Sequence, residues 1–241
     1  MKYKVLSTKK INSSLKVQAW QNAIEVVEQE FISIKPVLSK EKFKALNDLI
    51  HSGIQCFVFT SYNAVTLLNK YLSTEGNGYI INGKFATLSG NTKKALRHAT
   101  QLGKNIIADA EHASLLAKKI IELKIDELIF FCGNKRRGEL PGILKDAGIK
   151  VHELVVYETT ETPVEITDEF DAILFFSPSG AESFFSVNTL STQVVCFAIG
   201  KTTADSIRNY ANNKIILSEF SGQESMIASV QNFFQNINYP E

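Results

Sequence analysis

Net charge is nearly absent from this sequence of 241 residues. Its 26 Lys and Arg residues are almost balanced by 25 Asp and Glu residues, which gives a formal charge of +1. Proteins that hold nucleic acids by their phosphates usually carry a clear excess of basic residues. The balance therefore predicts that nucleic acid is not a partner of this chain.

Glycine and proline are also scarce, with 13 and 5 residues, and both counts fall below the average usage of about 7% and 5%. The shortage of turn residues predicts many regular elements joined by short loops. Apolar residues make up 44% of the chain, which is enough for the cores of the one or two domains that its length suggests at roughly 150 residues per domain.

Long hydrophobic runs and paired cysteines are missing. No segment approaches the ~18 apolar residues of a membrane span, and the N-terminal MKYKVLSTKK lacks the apolar centre of a signal peptide. Cys56, Cys132 and Cys196 each lie in an apolar run without a partner at metal-ligand spacing, which predicts buried free thiols in a reducing compartment. We therefore expect a soluble, cytoplasmic protein with no membrane partner.

The common cofactor and hydrolase motifs are absent as well. The sequence has no GxGxxG, no GxxxxGK[ST] and no GxSxG, and its four His residues have no second ligand at a recognisable metal spacing. Nucleotide binding, a metal centre and Ser-His hydrolysis are therefore not indicated.

What the sequence does contain is an alternation of short β-rich runs with segments of helical period, which is typical of an α/β fold with parallel sheets covered by helices. Ten strands are too many for one small sheet. The predicted strands span residues 3–7, 24–28, 56–60, 84–89, 105–110, 128–132, 150–154, 172–176, 194–199 and 214–218.

Three segments of the chain have internal counterparts, which indicates duplication. FTSYNAVTLL (59–68) aligns with FFSPSGAESF (175–184), LSGNTKKAL (88–96) resembles AIGKTTADSI (198–207), and the extended segment 23–36 resembles 148–163. Their order fits a domain inserted into another better than a tandem of two halves. Each domain would hold a five-stranded sheet.

The insertion sets the domain limits that we predict. Residues 1–32 and 164–241 would form a discontinuous terminal domain, and residues 41–153 an inserted middle domain. Residues 33–40 and 154–163 would then be two inter-domain connectors, which could pair as a two-stranded ladder with a hinge.

The duplicated motifs place hydroxyl and amide residues where a strand turns into a helix. Ligands of open parallel sheets bind at this edge, and the free N–H groups of a helix start attract anions. Helix capping explains the same residue types, and the two roles can coexist. The candidate donors for an acidic ligand are Ser61, Asn63, Thr92, Ser177, Ser179, Thr202 and Thr203.

A basic turn, CGNKRRGEL (132–140), follows the strand at 128–132, and Lys9 and Lys10 follow the first strand in a comparable way. Cations at the same sheet edge would suit a carboxylate ligand. A solvated surface is the alternative reading of Lys135, Arg136 and Arg137.

Taken together, these residues resemble the uroporphyrinogen-III synthase family over nearly the whole chain. The most specific motifs are the series from Gly133 to Thr159, FSPSG (176–180) and IGKTTA (199–204). The resemblance implies two flavodoxin-like parallel-sheet domains, one inserted in the other and joined by a two-stranded ladder. It also implies an active site in the cleft between the domains, with no metal and no organic cofactor.

The resemblance further implies that Ser and Thr side chains and backbone N–H groups contact the substrate, at Ser61, Asn63, Ser177, Ser179, Thr202 and Thr203. The tyrosine that the family carries in its connector motif falls on Tyr157. The chain departs from the pattern at Thr92, which lies two positions after Gly90, whereas Thr203 lies three after Gly200. The contact of Thr92 is therefore open, and Lys93 is the alternative at that place.

The implied function is the cyclisation of hydroxymethylbilane to uroporphyrinogen III, with inversion of ring D and loss of water. The substrate is a small linear tetrapyrrole polycarboxylate, with Arg137 and Lys9 as further binding candidates. Tyr157 would assist the departing hydroxyl, or would merely pack on the ladder. A non-catalytic two-domain protein that binds a small acidic ligand is the alternative function, and a monomer is expected.

Overall fold

The structure is a computed structural model that describes residues 3–238. The chain alternates strands and helices almost throughout, as its buried apolar runs and helical periods predict. In chain order the elements are β1 (Tyr3–Ser7), α1 (Ser13–Gln21), β2 (Ile24–Glu28), β3 (Ile32–Pro36), α2 (Lys40–His51), β4 (Cys56–Phe59), α3 (Tyr62–Thr74), β5 (Lys84–Leu88), α4 (Asn91–His98), β6 (Ile106–Ala110), α5 (Ala113–Glu122), β7 (Glu127–Gly133), α6 (Glu139–Asp146), β8 (Lys150–Glu161), β9 (Ala172–Phe175), α7 (Pro178–Phe185), β10 (Val195–Ala198), α8 (Lys201–Arg208), β11 (Ile215–Leu217) and α9 (Gln223–Asn238).

The chain divides into two compact units. The terminal unit combines the segment up to Ser33 with the segment from Thr160 onward, and the inserted unit comprises Ile34–Thr159. The chain leaves the terminal unit in β3 and returns to it in β8.

The terminal unit is built on one sheet, which over residues 3–238 has five strands in the order β11-β10-β9-β1-β2, all parallel. Its central strands β9 (AILF) and β10 (VCFA) are buried at every position. Continuous apolar runs of this kind are expected where helices cover both faces of a parallel sheet.

The inserted unit holds a sheet in the order β3-β8-β7-β4-β5-β6. The strands from β8 to β6 are parallel. Successive residues of a strand face opposite sides, and β4 shows this clearly because Phe57 and Phe59 enter one core cluster while Cys56 and Val58 enter the other.

The edge strand β3 runs antiparallel to β8. Val37 N donates to Val156 O at 3.0 Å, and Thr162 N donates to Phe31 O at 2.9 Å, so residue numbers rise along one segment as they fall along the other. This pairing is the ladder between the two crossings of the chain.

The predicted fold class is confirmed, and each predicted strand is present within one or two residues of its predicted start. The expectation of five strands in the inserted sheet was wrong, because β3 adds a sixth. β8 continues to Glu161, well beyond the predicted end at 154. Because its longer edge provides hydrogen-bond partners, part of the predicted connector 33–40 forms the strand β3. The exact domain limits stay a prediction.

The three cysteines are buried and free, as predicted. Burial raises the pKa of Cys56 and of Cys132 to about 11 and that of Cys196 to about 12, so each thiol stays protonated near neutral pH. Over the described range, no helix combines the length and the apolar character that crossing a membrane requires.

Candidate functional site

A hydrogen bond joins two of the sequence-predicted site residues in the inserted unit. Ser61 Oγ lies 2.9 Å from Tyr157 Oη, and either hydroxyl can be the donor. Ser61 stands at the start of α3, directly after β4, whereas Tyr157 lies on β8. The sequence predicted both residues but not their contact.

A register shift between Cys132 and Gly133 sets the position of Tyr157. β7 and β8 pair in step as far as Cys132 and Val155, and then Gly133 pairs with Tyr157, so that Val156 is the extra residue. Such a bulge re-aims the side chain that follows it. Here it brings the tyrosine to the edge of the sheet where β7 ends.

Gly133 lies directly against the ring of Tyr157. A Cβ placed on Gly133 would come within 2.4 Å of Tyr157 Cζ and 2.8 Å of its Oη, far closer than carbon atoms approach without repulsion. Only glycine leaves enough space for the ring at this position. The ring of Tyr157 also packs against the apolar core of the unit.

Asn134 fixes the backbone just beyond the tyrosine. Its Oδ1 accepts from Thr159 N at 2.8 Å, its Nδ2 donates to Thr159 O at 3.2 Å, and its own N–H donates to Tyr157 O at 3.2 Å. The side chain thus continues the pairing with β8 where β7 has ended. The Gly-Asn pair in CGNKRRG was the available sequence signal, but the sequence analysis assigned chemistry only to its basic residues.

Burial raises the pKa of the Tyr157 phenol, because a phenolate is poorly solvated there, and the hydrogen bond between Tyr157 and Ser61 offsets this only in part. The phenol is therefore protonated at neutral pH. It can donate a proton or a hydrogen bond to a neighbouring oxygen.

Two of the predicted turn residues are helix caps. Ser61 accepts from Ala64 N at 3.4 Å, and Ser177 accepts from Gly180 N at 3.0 Å. The capping interpretation is therefore right for both, while the bond to Tyr157 gives Ser61 a second role. Asn63 and Ser179 each occupy the second helical position and are partly exposed.

The threonine motifs differ from the serine motifs. Gly90 and Gly200 stand at the N-cap positions of α4 and α8, and in the described structure neither helix start has a side-chain cap bond. Capping therefore does not account for Thr92, Thr202 and Thr203. Thr92 and Thr203 are buried and Thr202 is exposed.

Lys93 occupies the third position of α4, the place that Thr203 holds in α8. Its Nζ lies 2.8 Å from Asp109 Oδ1, and Ser89 Oγ donates to the other carboxylate oxygen at 2.9 Å. Hydrogen bonds from Lys93 first and Ser89 second lower the pKa of Asp109. The charge of Lys93 is thus already paired inside the unit.

In the basic loop 134–138, Arg136 forms an ion pair with β8. Arg136 Nε contacts the Glu153 carboxylate on β8, and Lys145 Nζ reaches its other oxygen at 2.9 Å. Burial alone would raise the pKa of Glu153, but the hydrogen bonds from Lys145 and Arg136 outweigh it and the pKa is lowered. The charge of Arg136 is therefore paired with Glu153, whereas Arg137 is exposed.

At the corresponding edge of the terminal unit, Thr8 and Ser177 order the chain. Thr8 Oγ1 donates to Leu174 O at 2.8 Å and accepts from Phe176 N at 3.4 Å, next to the capped start of α7. Lys9 follows in an exposed position, where its carbonyl accepts from Ser7 Oγ at 2.5 Å. Each unit therefore presents ordered hydroxyl groups and an exposed cation at the carboxyl ends of its strands.

Comparison with known proteins shows which family this chain matches. A family model described as uroporphyrinogen-III synthase HemD matches residues 13–228. No curated protein matches the sequence.

Solved structures share the fold. A mutant uroporphyrinogen III synthase from the extremely thermophilic bacterium Thermus thermophilus superposes with a TM-score of 0.70 at 17% identity, covering 98% of this chain and 99% of that one. The uroporphyrinogen-III synthetase of Helicobacter pylori gives a TM-score of 0.63 at 16% identity, covering 97% and 100%.

Proposed function

The chain belongs to the uroporphyrinogen-III synthase family, and we propose that it closes hydroxymethylbilane to uroporphyrinogen III, acting as a cyclising hydro-lyase in the cytoplasm. The catalytic part of this proposal is supported by the Tyr157 phenol. Its raised pKa keeps it protonated, its hydroxyl is hydrogen-bonded to Ser61 at 2.9 Å, and its ring lies against Gly133.

The reaction needs little chemical assistance from the protein. The electrons of a pyrrole nitrogen expel the terminal hydroxyl, and the carbon–oxygen bond breaks. The resulting cation is attacked by the substituted carbon of ring D to give a spiro intermediate, which fragments and recloses with that ring inverted. Holding the chain in the productive arrangement is therefore the main catalytic contribution.

Tyr157 supplies the proton that converts the departing hydroxyl into water. Ring closure later releases a proton from carbon, so the phenol is restored and the reaction balances as substrate to product plus water. Ser61 keeps the hydroxyl of Tyr157 oriented during this exchange.

The remaining residues bind the substrate carboxylates in this proposal. They offer hydroxyl, amide or cationic donors at the carboxyl ends of the strands of the two units. In the inserted unit these are Ser61, Asn63, Thr92 and Arg137, and in the terminal unit Lys9, Ser177, Ser179, Thr202 and Thr203. The protein needs no cofactor for this chemistry, and we propose that it works as a monomer.

Purified protein mixed with freshly prepared hydroxymethylbilane is expected to yield uroporphyrinogen III. Without an enzyme the substrate closes to the type I isomer, so chromatography of the oxidised products separates the two outcomes. Heat-inactivated protein provides the control. Exclusive formation of type I in both samples would reject the enzymatic function and favour the non-catalytic binding protein.

Replacing Ser61 with Ala is expected to lower both stability and turnover. Loss of a serine N-cap costs about 1 kcal/mol of unfolding free energy, and Tyr157 loses the partner that orients its hydroxyl. Ser39, which caps α2 through Lys42 N at 3.3 Å in the same unit, is the matched control. Ser39→Ala should lose similar stability in urea unfolding but keep its kcat, and an equal loss of kcat in the two variants would contradict the role of Ser61.

A further inference from the structure

Two surface grooves of about 340 Å³ each stand out in the described part of the chain, and their charges differ. The groove in the terminal unit has Glu169 and Asp168 on its lining, and Asp168 is paired with Lys4 at 2.7 Å. Its described lining residues include no Lys, Arg or His, so it offers no cation to an acidic ligand. The groove in the inserted unit lies between α3 and α4 and has no acidic residue among its described lining residues.

The second groove, called the α3/α4 groove here, starts at the edge of the sheet that carries the proposed reaction. Its lining includes Tyr62 and Asn91, the first residues of α3 and α4. Tyr62 directly follows Ser61, which binds Tyr157. The α3/α4 groove therefore reaches the first residue of α3, the residue next to Ser61 in the chain.

Two residues with cationic capacity line the α3/α4 groove one helical turn apart, Lys94 and His98. The two buried residues of its lining, Val65 and Ala99, are apolar and form its floor. Lys94 makes no ion pair with any residue that the structure describes, whereas its neighbour Lys93 is bound to Asp109 at 2.8 Å. Lys93 therefore forms an ion pair within the unit, whereas the adjacent Lys94 lines the open groove.

We propose that the α3/α4 groove holds one substituted pyrrole ring of the linear tetrapyrrole, with Lys94 binding a carboxylate of that ring's side chain. The volume is at the small end of ligand sites, which fits a single ring with its acidic arms and excludes the whole chain. The apolar floor packs on the ring, and the exposed ammonium meets the acid. This inference deepens the proposed function and rests on it.

The first test compares Lys94→Gln with Lys118→Gln, which removes an exposed lysine of α5 in the same unit. Loss of one charge-assisted hydrogen bond at an exposed site is expected to raise KM for hydroxymethylbilane about three- to tenfold, with kcat unchanged. Lys118→Gln should keep the KM of the parent protein. Equal KM values for Lys94→Gln and the parent protein would overturn the proposal.

The second test reads binding without turnover. The intact protein is acylated with acetic anhydride in the presence or absence of uroporphyrin III, a stable polycarboxylate form of the product, and peptide mass spectrometry measures modification at Lys94 and at Lys118. Protection confined to Lys94 supports the proposal, and unprotected Lys94 at saturating porphyrin overturns it. Type I product from the parent protein would reject the synthase function separately, since the protection experiment does not depend on catalysis.

Discussion

Replacing Gly133 with Ala is expected to lower the unfolding free energy by about 1–3 kcal/mol, the usual cost of overpacking, and to remove most of the activity. The new methyl group would lie 2.4 Å from Tyr157 Cζ, so the rigid ring must swing away from β7. Its hydroxyl then leaves Ser61, 2.9 Å away in the native arrangement. Urea unfolding and steady-state kinetics measure the two effects.

Gly142→Ala is the control for this experiment. Gly142 lies inside α6, and a Cβ there meets nothing within 4 Å, so the change should leave turnover intact and stabilise the helix by roughly 0.5–1 kcal/mol. Introducing Gly133→Ala into a Tyr157→Ala background should cost almost no further stability, because the clashing ring is gone. A full penalty in that background would show that the ring of Tyr157 is not the obstacle.

Replacing Tyr157 with Phe is expected to reduce kcat about 100-fold, at the lower end of what a general acid contributes, because the pyrrole nitrogen itself drives the departure of the hydroxyl. The ring still packs on Gly133 and the core, so only the bond to Ser61 is lost, a change of about 0.5–1.5 kcal/mol in stability. Kinetics with hydroxymethylbilane and a urea titration of the same preparation separate the two effects.

Tyr71→Phe is the matched control, since Tyr71 is a buried tyrosine of the same unit that packs in its core. It should keep the kcat of the parent protein. Unchanged kcat in Tyr157→Phe would remove Tyr157 from catalysis and leave it a packing residue, although the family assignment would stand.

The pKa of Tyr157 also sets the pH range in which it acts. Burial raises this pKa above the ordinary value near 10, so the folded protein binds the phenolic proton more tightly than the unfolded chain does. The ratio of kcat between the parent protein and Tyr157→Phe should therefore be constant through neutral pH. It should fall only in the alkaline range, where both the proton donor and its contribution to stability are lost as pH rises through the raised pKa.

The ten predicted strands were recognisable because each is a short local run rich in apolar residues. The duplicated motifs indicated how the chain is divided between the two sheets. The ladder between the two connectors was expected, but β3 was not counted among the strands of the inserted sheet. ISIKP has no buried position, and its strand state depends on the extended edge of β8, which lies more than a hundred residues further along the chain.

The site was predictable residue by residue but not as an arrangement. Ser61 and Tyr157 each stood out in the sequence, yet their contact depends on the bulge after Cys132, and residue types do not reveal which residue of β8 is left over. Likewise the pairing of Lys93 with Asp109 joins α4 to the end of β6, so the charge available at that turn could not be judged from the motif alone.

The discontinuity of the terminal unit determines the order in which the protein can be completed on the ribosome. β1 and β2 are synthesised first, but β1 pairs on its other side with β9, which begins only at Ala172. By then every strand of the inserted unit exists. The sheet of the terminal unit can therefore be completed only after the inserted unit has been synthesised. Until then one edge of β1 is unpaired. Because unpaired strand edges promote aggregation, β1–α1–β2 is the segment of the nascent chain most in need of protection.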